Sequence, residues 1–287
     1  MRPISGFLLI DKPRGISSFD VIRKLRALSG IRKIGHTGTL DPLATGLLIC
    51  AFGTHTRLCK YLEARDKIYE SCLKLGEQTD TGDSEGEIIA MDNNIPPNLS
   101  VTALEEKVLA IGNLPVPRFS AVKVAGKPAY SYARKGQDLD LEDRPVRISS
   151  FSVLGYDQPF LRYRCTVSKG TYIRSLGEEI AKILGTVGHT VDLTRTAIGN
   201  LLLKDAHQLD DLSQDSLSQC IYPDRKVFTD AECLDLSEEQ LSALRNGQPI
   251  AQPGDDNPHI ILFGGEGQSV GVARRSNDLL YPLVNLV

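Results

Sequence analysis

The apolar positions of this chain come in two textures. Residues 6–10 (GFLLI) and 47–52 (LLICAF) are nearly unbroken apolar runs, short enough to be strands buried on both faces. Residues 68–75 (IYESCLKL) alternate in part, as a strand with one covered face should. Between the first two runs, Ser17 or Ser18 is placed to cap a helix through about Leu28, with Gly30 as its stop. Ser100 is placed to cap a second helix ending near Gly112, and residues 172–184 repeat apolar side chains at the helical period. Residues 119–124 and a Gly126-Lys127-Pro128 turn lead into a short helix near 129–135. Residues 146–156 and 162–168 read as two more strands. Strands arrive singly or in pairs with helices between. That predicts an α+β fold with a mixed or antiparallel sheet flanked by helices, rather than a regular βαβ repeat.

The texture changes after about Asp224. One short helix at 237–247, stopped by Gly247, precedes a Pro/Gly/Asp-rich loop at 253–258. Three strand-like runs follow, around Ile260, Val270 and Leu283. The expected division is a large domain over 1–225 and a small β-rich one over 226–287.

Bulk properties narrow the classes. The 287 residues, 41% hydrophobic and 24% charged, suit a soluble globular protein with a sizeable core. No apolar run approaches the roughly 18 residues of a membrane span, and the opening run is too short for a signal peptide. A cytoplasmic protein is expected. The cysteines at 50, 59, 72, 165, 220 and 233 form no Cys-x-x-Cys pair, and no histidine pair has ligand spacing. Reduced, structural thiols and no metal or cofactor are therefore expected. Net charge is −3, which by itself points to no nucleic acid. Yet residues 12–33 carry Lys12, Arg14, Arg23, Lys24, Arg26, Arg32 and Lys33 against Asp20 alone. A second basic stretch holds Arg118, Lys123, Lys127, Arg134 and Lys135. Such stripes suit phosphate contacts, and equally suit plain solvated faces.

Three segments could carry chemistry. Residues 35–46 (GHTGTLDPLATG) set three glycines around one carboxylate, without the pattern of a P-loop or a dinucleotide site. Pro42 biases Asp41 toward an extended or turn backbone, where it could serve as a turn cap or as a reactive carboxylate. Asp80-Thr81-Gly82 fits neither an aspartic-protease triplet nor an EF-hand, and a polar hairpin loop is the better account. Arg174 falls in the first turn of the 172–184 helix, where a cation opposes the dipole. A partner carboxylate or an RNA phosphate would explain it, as would a plain surface position.

Taken together these blocks resemble the bacterial tRNA pseudouridine synthase B family. GFLLIDKPRGISS at 6–18, GHTGTLDPLATG at 35–46, KIYESCLKLGEQTDTGDSEG at 67–86 and VSKGTYIRSL at 167–176, followed by Leu193-Thr194-Arg195, are similar to its motifs, in order. The resemblance covers nearly all of residues 6–200. Residues beyond about 226 resemble, more weakly, the PUA domain that follows the catalytic domain in that family.

The resemblance implies a pseudouridine synthase fold and the isomerisation of uridine to pseudouridine at position 55, in the T loop of tRNA. It implies that Asp41 is the nucleophile, that Tyr69 stacks on the target base, and that Arg174 pairs with Asp41. His36 is implied to lie against the RNA, Leu193 to line the uracil pocket with Lys12 and Pro13 in support, Tyr172 to contact substrate, and Arg57 to sit near the backbone phosphate. Residues 117–145 correspond to the family's mobile thumb. No cofactor, no membrane and no obligatory protein partner is implied, and a monomer is expected. The reaction detaches uracil, turns it and rejoins it through C5. It needs an ionised carboxylate acting at C1′ or at C6, and a neighbouring cation keeps that carboxylate ionised in a closed pocket. A bidentate fork from Arg174 would do so. An RNA-guided synthase and a tRNA-folding chaperone are the competing readings.

Overall fold

The two unbroken apolar runs become neighbouring strands, β1 (Gly6–Lys12) and β3 (Thr45–Phe52), antiparallel from Gly6↔Phe52 to Lys12↔Gly46. The structure is a computed structural model that describes residues 4–287 apart from 134, 138, 140 and 266. Both faces of this pair are covered. Leu8, Ile10, Leu48 and Cys50 pack under α1 (Ser18–Ser29), against Val21, Ile22 and Leu25. Phe7, Leu9, Leu47 and Ile49 face the other way. Continuous apolar sequence is what two-sided burial demands. Helix α1 starts at Ser17, whose hydroxyl accepts from Asp20 N in a capping box, and ends at Gly30 with φ 69°.

After β2 (Ile34–His36), a small antiparallel partner of β3, the chain runs through a 3-10 turn and α2 (Cys59–Glu63) into β4 (Lys67–Leu75). A hairpin, β5 (Glu77–Thr79) and β6 (Ile88–Met91), and helix α3 (Val101–Leu109) follow. Then come β7 (Ile148–Asp157), β8 (Phe160–Val167), α4 (Ile173–Ile183), β9 (Gly188–Ile198) and β10 (His207–Gln208). The main sheet is mixed and runs β7-β8-β4-β9-β3-β1-β10. Strand β4 buries Lys67, Tyr69, Ser71, Leu73 and Leu75 on one face, toward α4, and leaves the other face half-open, which accounts for its alternation.

Three expectations change. Ser100 is the N-cap residue of α3 but its side chain makes no cap bond, and the helix stops at Leu109. Of residues 119–124 only Lys123–Val124 is strand, paired with Lys127–Pro128. Strand β9, central to the sheet, was not expected: it interleaves His189, Asp192 and Arg195 with its apolar positions, so neither period shows clearly.

A five-stranded sheet closes the chain, in the order β11 (Glu232–Asp235), β13 (Asn257–Phe263), β14 (Ser269–Ser276), β15 (Leu279–Asn285), β12 (Ile250–Ala251), with α5 (Glu238–Arg245) beside it. Its Ile261, Phe263, Val272 and Val284 join Phe7, Leu9, Leu47 and Ile49 in one core. A buried polar clamp crosses the same seam. Asp224 Oδ2 lies 2.8 Å from His55 Nε2 and accepts from Ser269 N and Oγ at 2.8 and 2.6 Å. Burial pushes the Asp224 carboxyl up, but the hydrogen bonds from His55 and Ser269 outweigh it and hold the group below the usual carboxylate range.

Candidate active site

Residues 37–44 have no regular structure of their own, so their backbone groups need partners from elsewhere. Ser18 Oγ donates to Leu40 O at 3.1 Å and accepts from Leu40 N at 2.8 Å. Lys12, fully buried, donates through Nζ to Pro13 O, Ile16 O and, at 3.4 Å, Pro42 O. Arg195, also buried, donates from Nε to Leu47 O at 2.7 Å and from Nη2 to Gly38 O at 3.1 Å. At the loop's end Gly46 has φ +99°, and a Cβ there would sit 2.4 Å from Arg195 O. Only glycine fits that approach. The loop thus lies at the junction of β3 and β9, which pair in parallel through Thr45↔Thr194 and Gly46↔Arg195.

Asp41 projects from this loop into a cleft of about 460 Å³ that Tyr69, Tyr172 and Leu193 also line. Its partner is Arg174, the second residue of α4. Arg174 Nε donates to Asp41 Oδ2 at 2.9 Å, Nη1 to Thr81 O at 2.7 Å and Nη2 to Phe119 O at 2.8 Å. The expected bidentate fork is therefore a single contact, because the other two corners of the guanidinium are held by carbonyls. The Arg174 side chain is 4% exposed and that of Asp41 35%, so the cation is enclosed while the carboxylate still opens on the cleft. A second carboxylate compensates the buried charge: Asp83 Oδ2, itself enclosed, lies 3.6 Å from Arg174 Nε. That pairing answers why a cation tolerates a helix N-terminus.

Residues 26–173 match the TruB family pseudouridylate synthase (N terminal domain). A tRNA pseudouridine synthase B of Burkholderia pseudomallei is 36% identical over 292 residues, covering 98% of this chain and 96% of its own. One of Cupriavidus metallidurans is 36% identical over 294 residues, covering 98% and 94%.

The chain belongs to the TruB family.

It is accordingly a pseudouridine synthase, an isomerase. Its fold recurs in the solved H/ACA RNP bound to a substrate RNA containing 2′-deoxyuridine, with TM-score 0.72 at 18% identity over 98% of this chain and 85% of that one. The archaeal Nop10-Cbf5 complex gives 0.69 at 18% identity, over 98% and 86%.

The TruB-family cleft gathers Asp41, Tyr69, Tyr172, Leu193 and, behind Asp41, Arg174. Three expected site residues lie elsewhere. Lys12 sits beneath the loop, with burial pushing its ammonium down to about 8 against the opposing charge of Asp41. His36, at the end of β2, is half-buried; burial and then Arg195 push its imidazole down, and its Nδ1 has no partner among the described residues. Arg57 donates to Asn285 O on β15 and does not line the cleft. The first basic stripe is partly spent on acids, since Arg23 pairs with Asp20 and Lys24 with Asp210. In the second, Arg134 lies outside the described residues.

Four residues with a part in the site were not singled out from sequence. Asp83 belongs to a loop that does form a polar hairpin turn, where Thr81 Oγ1 and Glu85 N donate to its Oδ1. Arg195 anchors the loop; its only signal was its place in Leu193-Thr194-Arg195. Glu63 and Lys67 flank the far end of the cleft. Lys67 Nζ donates to Glu63 O and Arg65 O, both at 2.6 Å, and burial pushes it down to about 8.

Proposed function

We propose that Asp41 is the nucleophile of a tRNA pseudouridine synthase acting on the T-loop uridine at position 55, without cofactor or guide RNA. The observation that carries this reading is the grip of Arg174 on Asp41, 2.9 Å long, at the wall of a cleft that also offers Tyr69 and Leu193. The target uridine is flipped out of its loop, at a cost of a few kcal/mol. Its ring lies between the flat face of Tyr69 and the apolar side of Leu193, and stacking there offsets part of that cost. Asp41 then acts at C1′ of the ribose or C6 of the base, freeing uracil to turn and rejoin through C5. Arg174 holds the carboxylate ionised as RNA closes the cleft over it. Segment 117–145 helps close it: Ser120, Ala121 and Val122 line the cleft, and Phe119 O is already bound by Arg174. Residues 226–287 add RNA contacts outside the stem-loop.

The test is tritium release from 5-tritiated uridine in a T-arm stem-loop, with the purified chain alone. Wild type should turn over, and Asp41→Asn should be slower by roughly 10³-fold or more with stem-loop affinity little changed. Near-normal turnover of a folded Asp41→Asn protein would sink the mechanism. Activity only with added proteins and a guide would favour the RNA-guided reading, and binding without turnover the chaperone reading.

A further inference from the structure

The chain between β3 and β4 divides two clefts. Glu63 and Lys67 line the one that holds Asp41. Lys60, Tyr61 and Arg65 line a second, of about 440 Å³, whose other wall is Phe228, Asp230 and His259 from the C-terminal part of the chain. Its chemistry is aromatic and polar at once. The rings of Tyr61 and His259 meet edge to face with centroids 5.1 Å apart. Lys60 Nζ lies 4.9 Å from the Tyr61 ring centre, and the Arg65 guanidinium 5.8 Å from that of Phe228. Arg65 is held by Asp230 and by Asn200 Oδ1, so its plane is fixed. The Tyr61 hydroxyl is buried without a hydrogen-bond partner among the described residues. Lys60 and His259 are exposed.

Flat ring faces suit a planar heterocycle. An exposed ammonium suits a phosphate. We propose that this second cleft binds one unpaired nucleotide, its base against Tyr61 and His259 and its phosphate on Lys60. The nucleotide comes either from the RNA substrate, outside the target stem-loop, or free from solution. The first source rests on the reading of this chain as a tRNA enzyme; the second does not.

The experiment compares wild type with Lys60→Ala/His259→Ala. Both side chains are exposed, and thermal melting checks folding; Lys60→Ala alone serves if the pair fails to fold. Binding is measured with full-length tRNA and with the isolated stem-loop, and NMR follows the His259 ring on addition of cytidine or guanosine monophosphate. If the RNA supplies the nucleotide, the variant loses about tenfold in tRNA affinity, the worth of one base–aromatic stack, with stem-loop turnover unchanged. If the nucleotide is free, a mononucleotide shifts the His259 signal in wild type and tRNA affinity stays level. Unchanged tRNA affinity together with no shift overturns the proposal, as does a parallel loss of stem-loop turnover. Absence of stem-loop turnover in wild type would instead count against the proposed T-loop substrate.

Discussion

Arg174 donates in three directions at once, to one carboxylate and two carbonyls. A planar guanidinium fixed at three corners leaves Asp41 one approach. Lysine would keep the charge but cannot reproduce the planar fork. Arg174→Lys should lower turnover by roughly 10²-fold or more, while tRNA affinity in a filter assay moves by less than about threefold. Two carbonyls left unpaired should also cost roughly 1–3 kcal/mol, read as a lower urea midpoint. Wild-type turnover in that variant would show the geometry to be dispensable. The motif resemblance made Asp41, Tyr69 and Arg174 legible, and the fold brings them together. Asp83, Lys12 and Arg195 show why the rest was harder to read. A sequence displays a charge, but the role depends on which acceptor meets it, and here those acceptors are mostly backbone carbonyls that no motif spells out.

At the scale of elements, β1, β3 and β4 were readable because burial on two faces or one leaves distinct patterns. Strand β9 was not, although it carries Leu193 and fastens the loop. Its Arg195 is buried in mid-strand and satisfied by Leu47 O and Gly38 O, so a residue that reads as surface is core. The β3–β9 junction makes a sharp demand on Gly46. An alanine there would meet backbone rather than a movable side chain, at a φ that disfavours any Cβ. Gly46→Ala is expected to lose at least about 2 kcal/mol in urea unfolding and to slow turnover even where folded. A variant with wild-type stability would mean that the strands part more easily than their packing suggests.

Across the whole molecule, the change of texture after Asp224 was visible, and so were most C-terminal strands. Their sharing of a core with β1 and β3 was not, because an apolar face reads the same whatever covers it. That shared core and the His55–Asp224–Ser269 clamp predict a single unfolding transition. In Asp224→Asn the urea midpoint should fall, by about 3 kcal/mol in stability, without a second transition appearing; two separated transitions would refute the joint core. The sign with pH follows from the depressed carboxyl. Unfolded, the group takes up its proton near 3.8; folded, only at lower pH. Its contribution is therefore complete above about pH 4 and lost as pH falls through the folded value. Asp224→Asn should flatten that acid limb. The separation of the site's parts along the chain has a consequence for biosynthesis. Asp41 and Arg174 are 133 residues apart, and Leu47 and Arg195 are 148 apart. A nascent chain exposes Asp41 long before the ribosome has made the strand that anchors its loop. The loops that join them close late and slowly. A chain cut before Arg195 should therefore leave residues 37–44 without their hold on Leu47 and Gly38.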